Sequence, residues 1–236
     1  MDNLETTQTV RRAGLVGGVS LLILAVLAGF ATFGIIEALV TSGDGAKTAH
    51  DILASETKFR IGVISLVIVA TLDIVVAWAL QVFFKPVNKG LSSLAAIFRA
   101  IYGGVYLVAI AQLWEAVNLL SNTQHASALS AEQVHTQALM KIDEFNSIWQ
   151  MGLILFGIHL AVLGYMAVKS NYISKIIGVL LIVDGLSYMF DSFGYIISPG
   201  YSLDIARFTF VGEASLMVWL LIKGRKVNPK QIELIN

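Results

Sequence analysis

Residues 156–194, FGIHLAVLGYMAVKS followed by NYISKIIGVLLIVDGLSYMFDSFG, decide how the whole chain is read. They form two long apolar runs joined by a short turn between Lys169 and Lys175. The runs are long enough to cross hydrocarbon as helices, yet they carry His159, Asp184 and Asp191. A charge at a bilayer centre costs at least ~2.5–3.5 kcal/mol, so these side chains must face protein, water or a partner. The stretch therefore predicts a polytopic membrane protein with a polar interior.

The rest of the composition agrees. Of 236 residues, 56% are hydrophobic and 14% charged, and the mean hydropathy is +0.76. A soluble domain carries roughly a quarter charged residues, so the balance is shifted towards lipid. The formal net charge is +0 and no Lys/Arg-rich run occurs, which argues against nucleic acid as a partner. Cysteine is absent, which removes disulfides, thiolate metal sites, Fe–S clusters and a thiol nucleophile.

A span needs about 20 apolar residues to cross roughly 30 Å of hydrocarbon. Six segments qualify: 14–39, 61–84, 92–120, 146–168, 173–197 and 205–222. The first is too long for a signal peptide and reads as a retained span. Pro86, Pro199 and Pro229 all lie between or after spans, so largely continuous helices are expected. The expected architecture is all-α: one integral membrane domain over 1–236, a bundle of six transmembrane helices.

Short-loop lysines and arginines set the orientation. Arg11, Arg12, Lys85, Lys89, Lys169, Lys175, Lys223, Arg225, Lys226 and Lys230 fall on one side, against Lys47, Lys58, Arg60, Lys141 and Arg207 on the other. Both termini are thus expected to be cytoplasmic, in the cell membrane. Residues 46–54 suggest a short helix in the first outer loop. Ser130 with Gln133 resembles a capping box, and Val134, Ala138 and Ile142 share one side behind it, predicting an interfacial helix. His125 and His135 are ten residues apart, a poor metal spacing, and read as solvated loop residues.

Eight ionisable residues fall within the spans: Asp73, Arg99, Glu115, His159, Asp184, Asp191, Arg207 and Glu213. Asp184, Ser187, Tyr188, Asp191 and Tyr195 follow helical spacing and form one polar face. Ala111, Gln112, Glu115, Asn118 and Asn122 form another. Gly157 and Gly164, then Gly178 and Gly185, offer small surfaces for close helix approach. By depth, Asp73, His159, Asp184 and Glu213 group near mid-membrane, with Arg99 in the inner half. Glu115, Asp191 and Arg207 group in the outer half, where an Asp191–Arg207 or Glu115–Arg207 ion pair is expected. Five acids against two arginines demand compensation, through protonation, a bound cation or an aqueous cavity.

Catalytic motifs fail. HExxH, GxSxG and a glycine-rich phosphate loop are all missing. Asp184 and Asp191 lie about 10.5 Å apart along a helix axis, too far to share a proton as an aspartyl dyad. A metal held by His159 with Asp73, Asp184 and Glu213 is the one credible enzymatic route.

Together RRAGLVGG, KTAHDILASETKFRIG, KPVNKGLSSLAAIFRAIYG, FGIHLAVLGYMAVKS, IIGVLLIVDGLSYMFDSFG and GEASLMVWLLIKG resemble the domain of unknown function 4386 family of prokaryotic membrane proteins. The resemblance implies six helices over nearly the whole chain and no defined activity or cofactor. It implies that Arg60, Arg99, Asp191 and Glu213 occupy positions that family members similarly fill. Asp73 and Asp184 stand where the family pattern has apolar or small residues, and Ser174 where a proline is usual.

Three functional readings follow. The first is a non-enzymatic membrane protein, surrounded by lipid, whose polar pocket takes a small molecule or cation for transport, sensing or membrane protection. The second is an intramembrane metal-dependent hydrolase. The third is a structural or partner-binding protein that uses its polar residues to hold helices together.

Overall fold

The computed structural model describes residues 3–121, 129–198 and 200–228, with side chains from residue 7 onward. All regular structure among them is helical. In order these are α1 (Asn3–Ala31), α2 (Glu37–Leu39), α3 (Gly45–Ala54), α4 (Glu56–Phe84), α5 (Lys89–Ser121), α6 (Ala131–Lys169), α7 (Lys175–Ile197), α8 (Ala206–Thr209) and α9 (Val211–Ile222). A π turn, Thr32–Ile36, joins α1 to α2, and a 3₁₀ turn, Gly224–Lys226, follows α9. Asn122, His125, Pro199, Pro229 and Lys230 lie outside the described residues.

Five stretches are long and apolar enough to cross a membrane: Thr7–Leu39, Glu56–Phe84, Lys89–Ser121, Ala131–Lys169 and Lys175–Ile197. They cover the first five expected spans, except that the fifth begins at Lys175 and not at 173. The sixth expected span, 205–222, is instead broken at Phe210 into α8 and α9. At about 1.5 Å per residue, the 12 residues of α9 reach only about 18 Å.

Helix ends follow local chemistry. Asn88 Oδ1 accepts from Leu91 N–H at 2.9 Å and caps α5, while Asp44 Oδ1 accepts from Lys47 N–H at 2.8 Å and caps α3. The capping box forms as expected: Ser130 N–H donates to Gln133 Oε1 at 2.9 Å, and Gln133 N–H to Ser130 Oγ at 3.3 Å. The helix it starts is not a separate interfacial one. It runs without a break from Ala131 to Lys169, absorbing both the expected interfacial helix and the fourth span. No glycine or proline between 131 and 151 punctuates it, and Val134, Ala138, Ile142 and Phe145 are all buried.

The chain divides into two compact units: residues 1–23, 72–103 and 150–236 in the first, 24–71 and 104–149 in the second. In the second unit, polar residues of α5 meet basic side chains. Arg60 Nη1 donates to Asn118 Oδ1 at 3.2 Å, with its Nε on Glu56 at 2.8 Å. Lys141 Nζ donates to Gln112 Oε1 at 3.2 Å. Tyr106, Phe145 and Trp149 cluster beside them, with ring centroids 6.0–6.3 Å apart.

The first unit is built on close backbone approach. A Cβ placed on Gly157 would sit 2.5 Å from the Gly185 carbonyl oxygen, and one on Gly164 would sit 2.6 Å from that of Gly178. Helices α6 and α7 thus touch through paired glycines, as their spacing predicts. Gly212 does the same for α9, where a Cβ would lie 2.7 Å from the Leu180 carbonyl carbon of α7. Just before α7, Tyr172 O–H donates to the Phe83 carbonyl at 2.9 Å, and burial pushes this phenol well above its ordinary range.

Candidate functional site

The site lies within the first unit and is centred on Arg99 of α5, which is fully buried. Its Nε donates to Asp73 Oδ1 of α4 at 2.9 Å, and its Nη1 donates to Glu213 Oε1 of α9 at 2.7 Å. Nη2 also lies 2.7 Å from Asp73 Oδ1, close enough for an ion pair but with no acceptor aligned to its hydrogens. A buried guanidinium without partners would be untenable in hydrocarbon, and three helices meet here to satisfy it.

His159 of α6 closes the cluster. Its Nδ1 lies 2.8 Å from the Ala95 carbonyl and its Nε2 lies 3.4 Å from Arg99 Nη1. A guanidinium only donates, so Nε2 accepts, and the ring proton sits on Nδ1 and goes to the carbonyl. This is the neutral tautomer of histidine, acting as an acceptor for Arg99. The Phe156 ring lies 5.2 Å from the Arg99 guanidinium carbon and packs against Tyr102 at 4.9 Å and Tyr188 at 5.4 Å. An aromatic face under a desolvated guanidinium adds a cation–π attraction.

Asp184 and Asp191 serve a different purpose. Asp184 Oδ2 accepts from the backbone N–H of Glu213 at 3.0 Å, in the first turn of α9. Asp191 Oδ2 accepts from the N–H of Ala206, the first residue of α8, at 2.7 Å, and its Oδ1 accepts from Tyr201 O–H at 2.6 Å. Two aspartates on one face of α7 thus supply acceptors to the helix starts that the break in the last segment exposes. Asp184 Oδ1 is buried with no donor from the described residues.

The family model described as Domain of unknown function (DUF4386) matches residues 16–224. The chain belongs to the DUF4386 family. It is also 33% identical over 174 residues to an uncharacterized protein of Archaeoglobus fulgidus, a match covering 70% of this chain and 85% of that one. No solved structure matches it. The DUF4386 match takes in every residue of the Arg99 cluster and both capping aspartates.

Within this DUF4386 chain, six of the eight expected interior ionisable residues are gathered in the first unit around Arg99 and the start of the last helices. The other two are exposed. Glu115 lies in the second unit and is exposed, so its stripe on α5 is only partly interior. Arg207 is exposed on α8. Asp191 has both oxygens engaged by Tyr201 and Ala206.

The expected metal set does not assemble. Among the described residues no group of three or more His, Asp or Glu side chains is placed to hold a metal. The reason is electrostatic: the Arg99 guanidinium already occupies the space between Asp73, Glu213 and His159, and it repels a metal cation. The Ser187 hydroxyl donates to the Val183 carbonyl of its own helix at 2.8 Å.

By backbone depth Arg99 stands apart from the residues it binds, and only its long, reaching side chain brings it to them. Phe156 was legible only as a residue one turn before His159. The Ala95 carbonyl leaves no trace in side-chain identity.

Proposed function

We propose that this protein is a non-enzymatic, multi-pass protein of the cell membrane whose Arg99 centre takes up a proton or a small monovalent cation. One observation carries the reading. Among the described residues Asp184 Oδ1 is a buried acceptor without a donor, beside Glu213, whose side chain is partly exposed at 24%. Asp73 and Glu213 already share the Arg99 guanidinium, so a further positive charge is favoured where Asp184 and Glu213 approach each other. Glu213 provides the route by which it arrives.

The five helices long and apolar enough to cross a membrane support the multi-pass assignment. Helices α8 and α9 would complete a sixth crossing, which puts both termini on the cytoplasmic side that the loop charges favour. Helices α1, α4, α5 and α6 each contribute to both compact units, which supports treating 1–236 as one integral domain.

Thermal unfolding of the purified protein in lipid nanodiscs tests the reading. Sodium, potassium and lithium are titrated at fixed pH, and pH is then lowered at fixed salt. A ligand that binds only the folded state stabilises it by about 2.7 kcal/mol at a hundredfold excess over Kd. One of these arms should stabilise the wild type saturably, and Asp184→Asn with Glu213→Gln should abolish the gain. Insensitivity to every cation and to pH would leave the cluster as helix glue, a reading favoured by the two aspartates that hold the starts of α8 and α9.

A further inference from the structure

A groove of about 550 Å³ lies between α7 and α9, apart from the Arg99 centre. Ile177 of α7 and Val211, Ala214, Val218 and Ile222 of α9 line it, and Lys223 stands at its end. Val211, Val218 and Ile222 are 47%, 48% and 55% exposed, so the lining is open to the surroundings of the helices. The volume falls within the ~300–1,000 Å³ typical of small-molecule sites.

Charge decides what fits. The segments flanking this end, 171–183 and 214–228, carry Lys175, Lys223, Arg225 and Lys226 and contain no Asp or Glu. All four cations are exposed. An apolar trough with Lys223 at its end and three more cations in the flanking segments complements one kind of molecule abundant in a bilayer, a hydrocarbon chain with an anionic head. Basic sites between membrane helices recognise acidic lipid headgroups in this way.

We propose that the groove holds one acyl chain of an anionic membrane phospholipid, with its phosphate at Lys223 and the adjoining Arg225 and Lys226. The lipid is a bound component on the face of α9 away from Asp184, not bulk solvent. The lysine also lies at the C-terminal end of α9, where any cation favours the helix dipole. The test must therefore read lipid retention as well as stability.

The full chain is purified from membranes, reconstituted in nanodiscs of phosphatidylcholine with or without phosphatidylglycerol, released, and examined by native mass spectrometry. The expected result is one retained phosphatidylglycerol per chain, kept at least tenfold over phosphatidylcholine. Ala214→Trp, which fills the groove, should remove it. The surface variant Lys223→Gln/Arg225→Gln/Lys226→Gln, which leaves the packing untouched, should cut retention about tenfold even if Ala214→Trp fails to fold. Equal retention of both lipids, or retention unchanged in the triple variant, overturns the proposal. So does a crosslink through Ala214→Cys to a second copy of the chain.

Discussion

Asp184 Oδ2 accepts a hydrogen bond from the backbone N–H of Glu213 at 3.0 Å, joining the middle of α7 to the first turn of α9. The same Glu213 sends its side chain to Arg99, so one residue is held through its backbone by an acid and through its carboxylate by a base. This contact ties the broken last segment to the buried charge centre. Asp184→Ala removes the acceptor and should destabilise the protein by about 1–2 kcal/mol, in the range of a lost helix cap. Asp184→Asn keeps an oxygen and should cost less. Unfolding in mixed micelles by sodium dodecyl sulfate measures both.

The Arg99 centre makes a sharper prediction. Removing one partner of a buried ionic cluster strands the others, at a cost of about 3–5 kcal/mol. Arg99→Met alone should reach that range, because Asp73 is left buried without its cation. The triple variant Asp73→Asn/Arg99→Met/Glu213→Gln removes the charges together and should recover most of the loss. If the single and triple variants were equally destabilised in the same micelle assay, charge compensation would not be what holds the cluster.

The glycines divide into two groups with opposite expected signs. Gly157→Ala and Gly185→Ala each drive a Cβ into the facing backbone, and overpacking of this kind costs typically about 1–3 kcal/mol. Gly29 and Gly104 sit on helices with nothing among the described residues within 4 Å of an added Cβ. Alanine there should be neutral or stabilising by up to about 1 kcal/mol through helix propensity. Thermal midpoints of the four variants, measured side by side, check the contrast.

Tyr201, in the connection between α7 and α8, provides a pH signature. Partial burial and the hydrogen bond to Asp191 push its phenol up to about 12. A folded-state pKa above the ordinary tyrosine value of about 10 means that the folded protein holds this proton more tightly. Its contribution to stability is therefore complete below about pH 10 and is lost as pH rises through about 12. Tyr201→Phe should flatten that part of the stability profile, which thermal unfolding across the alkaline range would reveal. An identical alkaline decline in wild type and variant would contradict the assignment.

Much of the architecture was legible because membrane helices announce themselves by length and apolar composition alone. In lipid every backbone group must pair within the segment, so a long apolar run has almost no choice but helix. The paired glycines of α6 and α7 and the Ser130–Gln133 capping box were equally readable, since each depends on residue type at fixed local spacing. The end of the chain was not. A hydropathy reading sees one apolar run over 205–222, whereas the break at Phe210 comes with long-range acceptors, Asp184 and Asp191, that engage the helix starts.

The residue types by themselves determined that this chain is helical, membrane-compatible and burdened with more buried acid than base. Tertiary structure alone decided how that burden is met. Arg99 reaches Asp73, Glu213 and His159 across helices, and backbone N–H groups of α8 and α9 donate to Asp191 and Asp184. Backbone hydrogen-bond donors are common to nearly all residues and carry no side-chain label, so a count of charges cannot include them until the chain is folded.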